Sequence, residues 1–272
     1  MSRAFNVVIP ARYASTRLPG KPLADIGGLP MIVRVVRQAL AAGAANVIVA
    51  TDDARVVDAV AAAGHVARLT RSDHASGSDR VMEVVDAEGW DDDALVLNVQ
   101  GDEPLLPPQV VTALAEAMLA RPEMPVGTMS ESLTEPTLLF DPNVVKVVCG
   151  VNGQALYFSR APIPYARDAF AAGQVSAIAG QLRAPTALPP DVGWSRHIGL
   201  YAYRVRALRQ FVSWPMGVLE RSESLEQLRL LEHGVPLLVV ATPLPVPGGV
   251  DTPADLERVR SIVAGVAQDP RG

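Results

Sequence analysis

A short apolar strand that leads directly into a cationic loop is the feature that most constrains this chain. The strand covers residues 5–9, and the loop at 10–22 brings in Arg12, Arg17 and Lys21 among several small residues. Three cations, with the backbone N–H groups of small residues at a strand end, favour the binding of a polyphosphate. The residue order matches neither the P-loop nor the Gly-x-Gly-x-x-Gly dinucleotide pattern. A surface loop with ordinary solvated cations is the alternative.

Composition limits the other possibilities. The chain has 272 residues, of which 49% are hydrophobic and 19% are charged, and a formal net charge of −5. These values are typical of one compact domain, or one with an appendage. The acidic balance argues against nucleic acid as a partner, because no basic field is available. The single cysteine, Cys149, excludes an internal disulfide, and its place in an apolar run predicts a buried side chain.

Hydropathy gives no indication of a membrane partner. No apolar run approaches the length that spans a bilayer, and the first residues lack a charged leader followed by an apolar segment and a small-residue cleavage site. We therefore expect a cytoplasmic protein.

Strands and helices alternate in the first half of the chain. Apolar runs predict strands at 5–10, 46–50 and 94–99, and helical periodicity predicts helices at 31–43, 54–64, 76–88 and 107–120. This alternation is typical of a parallel sheet covered by helices, in the manner of a doubly wound nucleotide-binding unit. Ligands of such sheets bind at the carboxyl ends of the strands, where the cationic loop falls.

The pattern changes from about residue 125. Strands are predicted at 126–130, 144–149, 155–158 and 197–203 without long helices between them, which indicates a mixed or antiparallel extension. The proline-rich segment 181–195 predicts an exposed loop. No linker separates independent units, so we expect a single domain over residues 1–272 that has two halves, 1–124 and 125–272.

Two acidic residues are candidates for holding a cation. Asp102 follows the apolar strand at 94–99, and Asp251 follows a pair of glycines that permits close backbone approach. Mg²⁺ prefers oxygen ligands and takes one or two carboxylates together with substrate phosphates. Helix capping is the alternative for both: Asp102 precedes a helix near Pro107, and either Asp251 or Thr252 precedes a helix that opens with proline.

Together these motifs resemble one known family. The segments that carry the resemblance are Ile9-Pro-Ala-Arg-Tyr-Ala-Ser-Thr-Arg-Leu-Pro-Gly-Lys-Pro22, Val49-Ala-Thr-Asp52, Ser76-Gly-Ser-Asp-Arg80, Asn98-Val-Gln-Gly-Asp-Glu-Pro104, Asn143-Val-Val-Lys-Val-Val148, Tyr157-Phe-Ser-Arg-Ala161, Arg196-His-Ile-Gly199, Leu225-Glu-Gln-Leu-Arg229 and Gly249-Val-Asp-Thr-Pro253. They are similar, in this order and over nearly the whole chain, to the 3-deoxy-manno-octulosonate cytidylyltransferases, also called CMP-Kdo synthetases. The segment 181–195 departs from the usual family pattern as an insertion.

The resemblance implies a fold and a reaction. The fold is the glycosyltransferase-A-like nucleotide-diphospho-sugar transferase fold, an α/β fold whose largely parallel central sheet is flanked by helices and carries a smaller mixed β extension. The reaction takes CTP and the eight-carbon acid sugar Kdo and releases CMP-Kdo and pyrophosphate, for lipopolysaccharide inner-core synthesis. A homodimer is implied, with residues 1–124 mainly binding CTP and residues 125–272 serving sugar binding and dimerisation.

The resemblance also implies roles for individual residues. The catalytic set is Arg12, Lys21, Asp102 and Asp251, of which the two aspartates would hold Mg²⁺. The CTP-binding set is Ala11, Arg12, Ser15, Arg17, Lys21, Ser76, Gly77, Arg80, Gln100 and Asp102. The sugar-binding set is Gln100, Arg160, His197, Tyr201, Glu223 and Gln227.

Structural roles remain open for several of these side chains. Ser76 could cap a helix, and Arg80 could be a solvated helix residue. Glu223 and Gln227 are expected on one face of a helix because they are four residues apart, while His197 and Tyr201 are expected on one face of a strand. His74 and His233 are expected at the surface.

Other functions compete with CMP-Kdo synthesis. The acceptor could be the 8-amino analogue of Kdo or, with less support, a sialic acid. A non-catalytic nucleotide-binding protein is an alternative of another class, against which the full set of cations and acids argues. A hydride-transferring oxidoreductase is weaker still, because no glycine fingerprint follows the first strand.

Overall fold

The computed structural model describes residues 4–170, 177–178, 181–182, 187–189 and 191–268. The strands are β1 Asn6–Ala11, β2 Asp25–Ile26, β3 Leu29–Pro30, β4 Asn46–Thr51, β5 Val66–Leu69, β6 Leu95–Asn98, β7 Val126–Leu133, β8 Lys146–Cys149, β9 Ala155–Ser159, β10 Ala177–Ile178, β11 Gln181–Leu182, β12 Trp194–Arg204 and β13 Leu237–Ala241. The helices are α1 Met31–Ala41, α2 Ala54–Ala62, α3 Gly77–Glu88, α4 Pro108–Leu119, α5 Pro136–Phe140, α6 Arg167–Ala169, α7 Val205–Ser213, α8 Val218–Glu223, α9 Leu228–Glu232 and α10 Pro253–Gln268, and Lys21–Leu23 forms a 3₁₀ turn.

A nine-stranded sheet organises these elements. Seven strands follow the order β13-β7-β12-β6-β1-β4-β5, and β8 and β9 extend the sheet beside β12. β1 is parallel to both β4 and β6, and β4 is parallel to β5. β12 runs antiparallel to β6 and β7. The parallel first half and the mixed extension of the sequence analysis are therefore confirmed.

The topology places the cationic loop at a switch point of the sheet. From β1 the chain passes to β4 and β5 on one side, and it returns to β6 on the other side. Crevices for ligands form in open α/β sheets where the strand order reverses in this way. The loop after β1 therefore emerges where a parallel sheet offers its main binding crevice.

Two apolar cores cover the two faces of the sheet. Alternate residues of β1 divide between them: Val7 and Ile9 pack with α1 and α4, and Val8 packs with α3 and α7. This division is what the two-residue period of a strand buried on both faces requires. A smaller cluster joins α10 to Ile26 and Met31.

Two expectations about local structure are wrong. Cys149 is exposed, because a register shift between Val148 and Cys149 breaks the alternation of β8 against β9. The expected loop at 181–195 ends early, since β12 begins at Trp194 and the indole is buried with its N–H donating to Pro164 O at 2.9 Å. At the start of the expected loop, Gln181–Leu182 pairs with Ala177–Ile178, and residues 183–186 and 190 lie outside the described part.

None of the helices in the described part of the chain combines sufficient length with sufficient hydropathy to cross a bilayer.

Candidate active site

A cleft of about 410 Å³ lies at the carboxyl ends of β1 and β6. Its lining comprises residues 10–12, 14–17, 21–22 and 100–102 together with Gly77 and Asp251. Gly101 lets the two strand ends meet closely, because a Cβ at this position would lie 2.8 Å from Pro10 O. The cleft therefore joins the cationic loop, the acidic end of β6 and a residue from near the end of the chain.

Lys21 holds the two candidate metal-binding acids together. Its ammonium lies 2.6 Å from Asp102 Oδ2 and 3.1 Å from Asp251 Oδ1. Burial alone would lower the pKa of Lys21, but the charges and hydrogen bonds of Asp102 and Asp251 outweigh burial and raise it. The guanidinium of Arg17 approaches Asp251 at 3.3 Å. The ammonium thus occupies a position between two carboxylates where a cation is stabilised.

Capping does not explain Asp251. Thr252 Oγ1 accepts a hydrogen bond from Asp255 N, and Asp255 Oδ2 accepts from Thr252 N and Oγ1, so this pair forms the cap of α10. Val250 N donates to Asp102 O at 2.9 Å, which brings the segment that precedes α10 against the end of β6. The carboxylate of Asp251 is therefore available to the cleft.

Capping does not explain Asp102 either. Helix α4 begins at Pro108, and its N-cap residue, Pro107, makes no side-chain capping bond. The neighbouring Glu103 has a buried carboxyl oxygen that lacks a hydrogen-bond partner among the described residues. Burial, with the charges of Asp102 and Asp251, raises the pKa of Glu103 to about 7.

Arg12 is fixed by the loop that precedes α3. Its guanidinium donates to His74 O at 2.8 Å, and the His74 imidazole pairs with the Glu83 carboxylate. The His74 side chain is only 9% exposed, so the expectation of a surface position is wrong for this histidine. The sequence gives one indication of this position, because His74 lies two residues before Ser76, where α3 is predicted to start.

The residues at the start of α3 that are predicted to bind the nucleotide differ in their structural roles. Ser76 caps α3 in a reciprocal capping box with Asp79, and Gly77 lines the cleft. Arg80 is fully buried, pairs with Asp52 Oδ2 at 2.9 Å and donates to Thr70 Oγ1. The interpretation of Arg80 as a solvated helix residue is therefore wrong, and the sequence analysis missed its partner Asp52.

The Arg80→Met substitution is expected to lower the free energy of unfolding by about 3 kcal/mol, because the carboxylate of Asp52 loses its buried partner. Chemical denaturation of the two proteins measures the difference. The matched control is the double variant Arg80→Met/Asp52→Asn, in which no charge is left unpaired and part of the stability returns. A single variant as stable as the double one would contradict a structural ion pair.

Four of the predicted sugar residues form two contacting pairs, Arg160 with Glu223 and His197 with Tyr201. The Ser159 hydroxyl and Arg160 N donate to the Glu223 carboxylate, and the Arg160 side chain donates to Glu223 O at 2.6 Å. The rings of His197 and Tyr201 lie 5.4 Å apart, as expected for one face. All of the predicted sugar residues belong to the described part of the chain, and among them Gln100 alone also lines the cleft. The amide nitrogen of Gln100 lies 3.4 Å from Gly199 O.

Glu223 and Gln227 do not lie on one helix face. Helix α8 ends at Glu223, Ser224 adopts a left-handed conformation with φ 52°, and Gln227 precedes α9. The four-residue spacing therefore spans a helix break rather than one turn. Gln227 is 4% exposed, and its amide nitrogen has no hydrogen-bond partner among the described residues.

His197 is expected to stay neutral throughout the physiological pH range. Burial lowers the pKa of its imidazole from 6.5 to about 3, and Thr128 Oγ1 lies 2.9 Å from Nε2. Between these pKa values the unfolded chain binds the proton and the folded chain does not. Stability associated with neutral His197 is therefore present above pH 6.5 and is lost as the pH falls towards 3.

NMR of the imidazole protons tests this prediction. We expect the His197 resonances not to titrate between about pH 8 and pH 5. The His197→Gln variant assigns the resonances and is expected to weaken the loss of stability below pH 6.5. A titration midpoint near 6.5 in the folded protein would contradict the prediction.

Comparisons with known proteins decide the family. The profile of the cytidylyltransferase family matches residues 6–237. The 3-deoxy-manno-octulosonate cytidylyltransferase of Pseudomonas syringae pv. syringae (strain B728a) is 50% identical over 265 residues, which cover 97% of this chain and 100% of that protein. This chain belongs to the 3-deoxy-manno-octulosonate cytidylyltransferase family.

Solved structures with a similar backbone also support membership in this family. CMP:2-keto-3-deoxy-manno-octonic acid synthetase in complex with CTP matches with a TM-score of 0.84 and 42% identity, over 97% of this chain and 99% of that chain. A 4-diphosphocytidyl-2C-methyl-D-erythritol synthase matches with a TM-score of 0.63 at 13% identity, over 97% and 99%, and shares the fold. The nucleotidyltransferase fold and the cytidylyltransferase assignment of the sequence analysis are confirmed.

Proposed function

We propose that this chain transfers CMP from CTP to the anomeric hydroxyl of Kdo and releases pyrophosphate, as its family membership implies. The observation that carries the proposal is the meeting of Lys21 with Asp102 and Asp251 at the cationic loop. These acids lie 81 and 230 residues from Lys21 in the chain. The product would supply the synthesis of the lipopolysaccharide inner core.

The reaction requires positioning and charge neutralisation more than covalent help from the protein. The anomeric hydroxyl loses its proton to water as its oxygen forms a bond to the α-phosphorus of CTP, the bond from that phosphorus to the bridging oxygen breaks, and pyrophosphate leaves on the opposite side. Arg12 and Lys21 would bind the phosphates, and Arg17 would add charge at the edge of the cleft. Each cation stabilises the negative charge that the leaving group gains.

The two carboxylates fit a magnesium ion. They provide hard oxygen donors at the phosphate cleft, and their side chains are 31% and 51% exposed, so both reach solvent. Bound there, Mg²⁺ would neutralise phosphate charge and orient the α-phosphate. Asp102 and Asp251 would hold the ion, and Lys21 would then turn from the acids to the phosphates.

The remaining predicted residues divide between the two substrates. For CTP we propose Ala11, Ser15, Ser76, Gly77, Arg80 and Gln100; for Kdo we propose Gln100, Arg160, His197, Tyr201, Glu223 and Gln227. The amide nitrogen of Gln227, which has no hydrogen-bond partner among the described residues, supports the sugar site, because a buried donor costs about 1–3 kcal/mol until an acceptor such as a sugar hydroxyl reaches it.

We also propose a cytoplasmic homodimer. Nucleoside triphosphate substrates are available in the cytoplasm. The hairpin between β8 and β9 carries exposed apolar side chains, with Val151 at its turn and Leu156 65% exposed, and such groups are typical of an interface. Sedimentation should give a dimer that the Leu156→Asp variant weakens, and a monomeric native protein would contradict the proposal.

Pyrophosphate release tests the reaction directly. We expect release from CTP with Kdo and Mg²⁺, and little release with UTP or ATP. If pyrophosphate is released only with the 8-amino sugar, the proposed mechanism stands and the acceptor is the 8-amino sugar rather than Kdo. If CTP binds and no pairing with a keto-acid sugar releases pyrophosphate, the chain is a nucleotide-binding protein and the proposal fails.

A further inference from the structure

The segment that carries Asp251 has no regular secondary structure of its own. Residues 242–252 connect β13 to α10 without a helix or a strand. A carboxylate on such a segment binds a cation well only if other parts of the molecule fix the backbone that carries it. The contacts of this segment therefore decide whether Asp251 is held in place.

Arg196 makes one of these contacts through a partly buried cross-strand pair. Its guanidinium donates through both Nε and Nη2 to Glu131 Oε2, and Nη2 also donates to Val246 O at 2.6 Å. Arg196 and Glu131 lie opposite each other in β12 and β7. Their side chains are 26% and 20% exposed, so solvent screens the pair only in part. The two donors, Nε and Nη2, form a fork on Glu131 Oε2 that fixes the guanidinium. The guanidinium in turn fixes the carbonyl of Val246.

The segment is thereby fixed on both sides of the double glycine. The Val246 side chain is 5% exposed and lies in the apolar core that contains α1 and α4. Four residues later, Val250 is fully buried and its N–H donates to Asp102 O. Arg258 of α10 adds bonds to Gly248 O and Gly249 O at 3.0 and 3.1 Å. Asp251 follows directly after this fixed stretch.

From these contacts we propose that Arg196 is a positioning residue, which acts through Glu131 and Val246 to hold Asp251 at the cleft. The proposal rests on the proposed function, since Asp251 is there a metal-binding residue. Arg196 also precedes His197, whose N–H donates to Val145 O at 2.8 Å. One side chain thus ties the segment of the metal-binding acid to the strand that carries two proposed sugar residues.

Binding of Mn²⁺, followed by electron paramagnetic resonance in the presence of CTP without sugar, tests the proposal. Arg196→Gln removes the guanidinium fork and Glu131→Ala removes its acceptor, and we expect each to weaken Mn²⁺ binding about 10–100-fold, as loss of an outer contact to a ligand does. Arg196→Lys keeps the positive charge but not the fork of two donors. Its affinity for Mn²⁺ is expected to lie between that of the native protein and that of the two other variants. CTP binding without metal should change little.

Arg206→Gln is the matched control, because Arg206 also pairs with a carboxylate, that of Asp93, but neither residue lines the cleft. It should leave Mn²⁺ binding unchanged. Fork variants that unfold at lower temperature yet bind Mn²⁺ like the native protein would show a purely structural role and overturn the proposal. If the native protein binds Mn²⁺ and releases no pyrophosphate with any sugar, the proposed function fails while the fork variants still decide the role of Arg196.

Discussion

The Asp102→Asn and Asp251→Asn substitutions are each expected to lower kcat by about 10²–10³-fold, comparable to the loss of one preorganised electrostatic contact in other enzymes. Each removes the negative charge of a proposed metal ligand and leaves the volume of the side chain nearly unchanged. Neither acid caps a helix, so the melting temperature should change little. Steady-state pyrophosphate release and thermal unfolding measure the two effects.

Asp255→Asn is the control for Asp251. It weakens the cap of α10, which is expected to cost about 1 kcal/mol of stability, while the acids at Lys21 remain. Its kcat should stay far above that of Asp251→Asn. Near-native turnover in either Asp102→Asn or Asp251→Asn would remove that residue from the metal site.

The Lys21→Met substitution is expected to combine a large kinetic loss with a stability change that depends on Mg²⁺. Without the ammonium, Asp102 and Asp251 lose the cation between them. In the proposed function, the phosphates of CTP also lose a binding partner. We expect kcat/KM for CTP to fall about 10²-fold or more. The melting temperature should fall in metal-free buffer, and added Mg²⁺ should raise it more than in the native protein.

The pH dependence of stability provides a second measurement at Lys21. Its pKa is raised in the folded protein, so its contribution to stability is present below pH 10.5 and is lost as the pH rises through the folded pKa. Lys21→Met should lack this part of the alkaline loss. A variant with the same alkaline profile and the same response to Mg²⁺ as the native protein would contradict a cation held between the acids.

The first half of the fold could be predicted from sequence because periodicity carries the information there. β1, β4 and β6 are apolar runs. The helices between them have amphipathic patterns. The choice between Asp251 and Thr252 as the cap was also open to prediction: Thr252 and Asp255 have the spacing of a capping box. That spacing assigns the cap to Thr252 and leaves the Asp251 carboxylate available for another role.

Other parts of the site depend on tertiary contacts that local patterns do not carry. The pairing of Arg80 with Asp52 joins residues from different elements, and helical spacing alone gives Arg80 a solvated position. The separation of Glu223 from Gln227 depends on the left-handed backbone of Ser224, a conformation that a non-glycine residue rarely adopts. The exposure of Cys149 depends on a register shift between β8 and β9, which is a property of the paired strands and not of either strand alone.

The route by which Asp251 reaches the cleft has a consequence for the synthesis of the protein. A domain generally folds as a unit once its segments have emerged from the ribosome. A nascent chain that already contains Lys21 and Asp102 still lacks Asp251, and it also lacks α10, which covers Ile26 and Met31. The proposed pair of metal-binding acids is therefore complete only after residue 251 has been made.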